Sequence, residues 1–124
     1  MKTEPLVLKR RTKDFALRIL RLYRSLPRTE EARIIGRQFL RSGTSIGANH
    51  RAACRGRSRA EFIAKLGVVL EEADETVFWL ELLQDGKFFP PEKLGDLLQE
   101  ANELVSIFVT SIRTARSFTS ASDF

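Results

Sequence analysis

The sequence predicts an all-helical fold, a single domain over residues 1–124 built as an antiparallel up-down-up-down four-helix bundle. Apolar residues recur at three- and four-residue intervals nearly throughout, and no alternating strand-like stretch competes with them. Short connections carrying proline, glycine and capping residues separate four such stretches. A chain of 124 residues with 43% hydrophobic and 30% charged residues supports one buried core and excludes wholesale disorder or a fibrous repeat.

The first helix is expected from Thr12 to Leu26, with Phe15, Ala16, Ile19, Leu22, Tyr23 and Leu26 on one side and Arg11, Arg18, Arg21 and Arg24 on the other. Residues 1–11 and 117–124 are expected to be flexible. Pro27 stops the first helix, and Thr29 can cap a second one that carries Glu30 and Glu31 at its positive end. The buried stripe of this second helix reads Ala32, Ile35, Phe39, Gly43, Ile46, His50, Ala53 and Cys54. Gly36, Gly43 and Gly47 each cost the helix about 1 kcal/mol relative to Ala, so close packing of a neighbouring backbone is expected there.

Gly56 followed by the S-x-x-E box of Ser58 and Glu61 marks the next boundary. The third helix then buries Phe62, Leu66, Val69, Leu70, Ala73, Val77, Leu80 and Leu83, with Glu71, Glu72, Asp74 and Glu75 facing the other way. Asp85-Gly86 opens a turn and Pro90-Pro91 leads into the fourth helix, whose heptad-spaced Leu94, Leu97, Leu98, Ala101, Leu104, Val105, Phe108 and Ile112 run to about Ala115.

Charge is strongly segregated. Residues 1–60 hold 16 Lys and Arg against 4 Asp and Glu, whereas residues 61–124 hold 5 against 12. Fifteen of the 21 basic residues are Arg, a bias toward planar partners such as phosphate or carboxylate. One Cys and one His exclude an internal disulfide and a multi-cysteine zinc site, and neither a G-x-G-x-x-G nor a G-x-x-x-x-G-K-[ST] loop occurs. No enzyme activity, cofactor or metal is expected. With neither a signal-like nor a membrane-spanning stretch, a cytoplasmic location is the expectation.

The run Phe39 to Asn49 (FLRSGTSIGAN), then Ser58 to Leu66 (SRAEFIAKL), then Glu71 to Leu83 (EEADETVFWLELL) resembles the bacterial four-helix-bundle family of proteins encoded by intervening sequences in 23S ribosomal RNA genes. Accessory proteins of diversity-generating retroelements share that bundle. The resemblance covers about residues 10–115. It implies a left-handed antiparallel bundle, assembly into a five-membered ring, no catalysis and, from the retroelement relatives, binding to reverse transcriptase and nucleic acid. Ala52 stands where family members often carry an acidic residue, so whatever that carboxylate does is missing from this chain.

Arg33, Arg37 and Arg41 share a helical face with Arg51, Arg55 and Arg59. An unbroken helix would make the first five a ridge about 33 Å long. Together with Arg18 and Arg21 they are candidates for tracking the phosphates of RNA or DNA. The alternative is a solvated face neutralised by acidic residues of the bundle or of another subunit, in a protein-interaction scaffold. No aromatic residue interleaves with these arginines, which speaks against base stacking. Ser45 and Asn49 are expected as a buried hydrogen-bonded pair fixing helix register. His50 with Cys54 supplies two metal ligands where four are needed, and Glu71, Asp74 and Glu75 read better as an acidic face than as a cation site. Phe78, Trp79 and Leu82 lie on or beside that acidic face and are the expected interface of a homo-oligomer.

Overall fold

The computed structural model describes residues 4–117, which form α1 (Pro5–Arg24), α2 (Glu30–Cys54), α3 (Arg59–Asp85) and α4 (Pro91–Ser117), with no strand among them. Two starts follow the sequence signals closely. Thr29 Oγ1 accepts the Ala32 amide at 3.2 Å at the head of α2, and Ser58 Oγ accepts the Glu61 amide at 3.1 Å at the head of α3. The expected flexible ends at residues 1–3 and 118–124 lie outside the described residues.

The start of α1 departs from expectation. Residues 5–11, expected to be flexible, form the first turns of the helix, because Pro5 suits its first position, Leu8 is buried in the core and Arg11 is tied to α4. Both Arg11 Nε and Nη2 donate to the Glu100 carboxylate at 2.7 Å, and Nη2 also reaches Glu103 at 2.7 Å. At its far end α1 stops at Arg24, three residues short of Pro27, with Ser25 Oγ donating to the Leu22 carbonyl at 2.8 Å.

The end of α3 separates two backbone requirements. A Cβ at Gly86 would lie 2.9 Å from the Leu82 carbonyl oxygen, so that position needs glycine for space. The left-handed residue is the next one, Lys87, at φ 61°. Its amide donates to the Gln84 carbonyl and that of Phe88 to the Leu83 carbonyl, satisfying carbonyls the helix end would leave orphaned.

Phe15 and Ile19 of α1, Phe39 and Ile46 of α2, Leu66 and Leu80 of α3, and Leu104 and Phe108 of α4 are all fully buried in one core. α1 lies along the glycines of α2. A Cβ at Gly43 would stand 2.7 Å from Ile19 Cγ1, one at Gly36 2.6 Å from Leu26 Cδ1, and one at Gly47 3.2 Å from Thr12 Oγ1. The nearest approach is therefore chiefly to side chains of α1 and of Leu26 just past its end; at Gly47 backbone is also among the nearest atoms, with the Thr12 carbonyl carbon 3.5 Å from the position a Cβ would take. Between α2 and α3 the buried hydroxyls of Ser42 and Thr76 hydrogen-bond at 2.9 Å.

Candidate nucleic-acid interface

The α2 arginine row is less uniform than its spacing suggests. Arg33, Arg37 and Arg51 are exposed on the helix, and Arg55 is its C-cap. Arg41 is different: its guanidinium reaches across to α3, donating to Glu72 at 3.2 Å and to Glu75. Such partly exposed pairs contribute little to stability, but they cancel charge. Arg59 lies beyond the break at Arg55–Ser58 as the first residue of α3, half-buried, and so does not extend the row. The ridge has a neutralised middle and ends at Arg55.

Tertiary packing regroups the remaining cations along the flanks of α1. Lys9 and Lys13 of α1 face Arg51 and Arg55 of α2 across a groove of about 450 Å³, whose other walls are Thr12, Ala16, Thr44, Gly47 and Ala48. Arg24, Arg28 and Arg33 surround a second hollow of about 320 Å³ where Pro27 turns the chain between the helices. Arg18 and Arg21 sit at the seam with α4 instead, beside Lys93 in a third hollow of about 330 Å³. No acidic side chain lines any of the three. Arg18, Arg21, Arg33, Arg37, Arg51 and Arg55 form no ion pair with any described residue.

Lys9 and Lys13 were absent from the sequence-based site. Lys13 falls within the expected first helix, but Lys9 lies in the segment expected to be flexible, and only the extension of α1 to Pro5 puts it on the same helical wall. Arg11 on the same helix is compensated: its hydrogen bonds to Glu100 push its guanidinium above the ordinary value, against the cost of partial burial. His50 is buried behind α1 with its ring against Phe108, centroids 5.6 Å apart. Burial, and then the charge of Lys9, hold its imidazole below the usual histidine range.

The sequence matches the model of the 23S rRNA-intervening sequence protein family over residues 4–110. The chain belongs to that family. A crystal structure of a Bacteroides thetaiotaomicron protein of unknown function, from the S23 ribosomal protein family, is 39% identical, covers 91% of this chain and 99% of its own, and superposes with a TM-score of 0.83. No curated protein matches the sequence.

In this member of the family, the residues that carried the resemblance have mainly structural partners. Ser45 and Asn49 are half-buried and do not bond to each other's side chains, contrary to expectation. Ser45 Oγ donates to the Arg41 carbonyl at 2.6 Å and Asn49 Nδ2 to the Ser45 carbonyl at 2.9 Å, each one turn back on its own helix. The hydroxyl pair that crosses between helices is Ser42 with Thr76, which no local sequence signal marks because the two residues lie 34 positions apart on different helices. Trp79 is half-buried against the core, and its Nε1–H donates to Glu75 at 2.9 Å, the carboxylate that also takes Arg41. Phe78 packs edge-on against Trp79 at 5.0 Å yet stays 54% exposed, and Leu82 one turn on is 37% exposed. The Cys54 thiol lies 3.6 Å from His50 Nε2, and among the described residues no group of three or more His, Cys, Asp and Glu could hold a metal. None of the four helices is long and apolar enough to cross a membrane.

Proposed function

We propose that the protein is a non-catalytic, cytoplasmic homo-oligomer that binds RNA or DNA through the arginine-rich faces of α1 and α2. The observation that carries this reading is the contrast between Arg11 and Arg41, each paired with two carboxylates, and Arg18, Arg21, Arg33, Arg37, Arg51 and Arg55, which have no ion-pair partner among the described residues. Unpaired Arg on rigid helix walls is the arrangement that phosphate binding uses. The bundle is read as antiparallel and up-down-up-down. Thr12 and Ile19 of α1, and Leu26 just past its end, meet Gly47, Gly43 and Gly36 of α2 in reversed order, and connections of a few residues join successive helices. Assembly into a ring of five follows from the family resemblance, and the exposed Phe78 and Leu82 are its candidate contact.

Mobility shifts over a salt series test the reading. Binding should weaken as salt rises, with a log–log slope of about −0.9 per phosphate contacted on duplex DNA. Absence of any shift at low salt defeats it. A second reading is a protein-interaction scaffold, for a reverse transcriptase or another protein, favoured by the exposed Phe78 and Leu82 amid the exposed carboxylates of Glu71, Asp74 and Glu81. For the homo-oligomer, light scattering should give a mass several times the 14.1 kDa of one chain. Phe78→Glu should lower that mass without loss of helicity. Trp79→Glu would be a less informative change, because Trp79 is packed against the core.

A further inference from the structure

The groove between Lys9 and Lys13 on one wall and Arg51 and Arg55 on the other gathers four cations, where each of the two other basic hollows gathers three. Its cations come from two helices and converge on one space, whereas the α2 row points along a single face. Each wall carries like charges one helical turn apart, an arrangement that disfavours a helix and that a bound anion relieves. None of the four cations has an ion-pair partner among the described residues.

The rest of the lining narrows what fits. Ala16, Gly47 and Ala48 are small and leave the space open. The Thr12 and Thr44 hydroxyls donate to the Leu8 and Leu40 carbonyls of their own helices, both at 2.7 Å, so they offer an incoming group no free proton. Recognition falls to charge and to the guanidinium forks. No aromatic side chain lines the groove, so the stacking platform that holds unpaired bases is missing.

We infer that this groove anchors the protein on double-helical nucleic acid, seating phosphodiester groups of one strand without reading sequence. The inference rests on the nucleic-acid reading above and adds to it the form of the ligand and the place where it is held. Lys9 and Lys13 join the binding surface, and Arg41 leaves it.

The test is fluorescence anisotropy on the full chain, over a salt series, with a random-sequence DNA duplex of about 20 base pairs, the RNA duplex of the same sequence, and the single DNA strand. The wild type should bind a duplex more tightly than the strand. Replacing both Lys13 and Arg51 with Gln should weaken duplex binding at least tenfold at low salt and reduce the DNA salt slope by about 2, the loss of two phosphate contacts. The pair Lys65→Gln and Arg113→Gln removes the same charge from exposed positions elsewhere and should stay within twofold of wild type. Circular dichroism and light scattering should be unchanged in both variants. The inference is overturned if the groove variant binds like wild type, if the two variants lose affinity equally, or if the strand competes as well as the duplex. A smaller oligomer in the groove variant also overturns it, by making the groove a subunit contact. A wild-type protein that binds none of the probes instead defeats the nucleic-acid reading on which the inference stands.

Discussion

The α1–α2 seam and the α2–α3 seam belong to one bundle but are closed in different ways. Between α1 and α2 the contact surface is made of glycines under Ile19, Thr12 and Leu26, and cations without described partners stand along its rim. Between α2 and α3 the contact holds a buried hydroxyl pair, Ser42 with Thr76, and its rim is neutralised where Arg41 meets Glu72 and Glu75. Shape fixes the first seam, and polar groups in register fix the second. The difference explains how a chain can keep a strongly basic face: glycine lets α1 sit close enough to α2 for packing to close that seam, so that no carboxylate is needed across it.

The largest expected effect comes from filling the glycine seam. Gly43→Leu puts a side chain where even a Cβ stands 2.7 Å from Ile19, and overpacking of this kind costs about 1–3 kcal/mol, occasionally more. Urea unfolding should show the loss. An unchanged midpoint would mean that α1 can lift off the seam without penalty. Thr76→Val tests the other seam and should cost about 1–2 kcal/mol, since Ser42 loses its cross-helix partner. Adding Ser42→Ala should recover part of that cost, and a purely additive double mutant would dissolve the claimed coupling. Smaller still is Lys87→Gly, which removes left-handed strain at the end of α3 and should gain about 1 kcal/mol, read as a raised melting temperature.

The mildest effect is on pH dependence. His50 is held below its ordinary value by burial and by Lys9 across the seam, with Cys54 against its other edge. The folded chain therefore keeps the imidazole neutral at pH values where the unfolded chain protonates it. This stability is present above the ordinary histidine value of about 6.5 and is lost as pH falls from there through the lower folded value. His50→Leu should flatten the decline in urea midpoint between pH 8 and pH 5. An equally steep decline in the variant would assign it to other groups.

Much of the bundle was legible in the residues alone because the signals are local. Thr29 and Ser58 cap the helices they were expected to cap, since a hydroxyl three residues before an unsatisfied amide needs no tertiary partner. The three- and four-residue spacing of Leu66, Val69, Ala73, Leu80 and Leu83 placed them in the core for the same reason. The motifs from Phe39 to Leu83 were specific enough to identify the family.

What the residues alone could not determine was which charges survive folding as free charges. Arg37 and Arg41 are one helical turn apart on the same face, and only the position of Glu72 and Glu75 on α3 makes one of them neutralised. Lys9 becomes part of a site only because Leu8 finds a place in the core and Arg11 finds Glu100, 89 residues away, which together hold the first turns of α1 in place. Helix periodicity assigns a side chain to a face of its own helix; the neighbour that face meets, and therefore its burial, its partner and its remaining charge, follows only from the packing of the four helices.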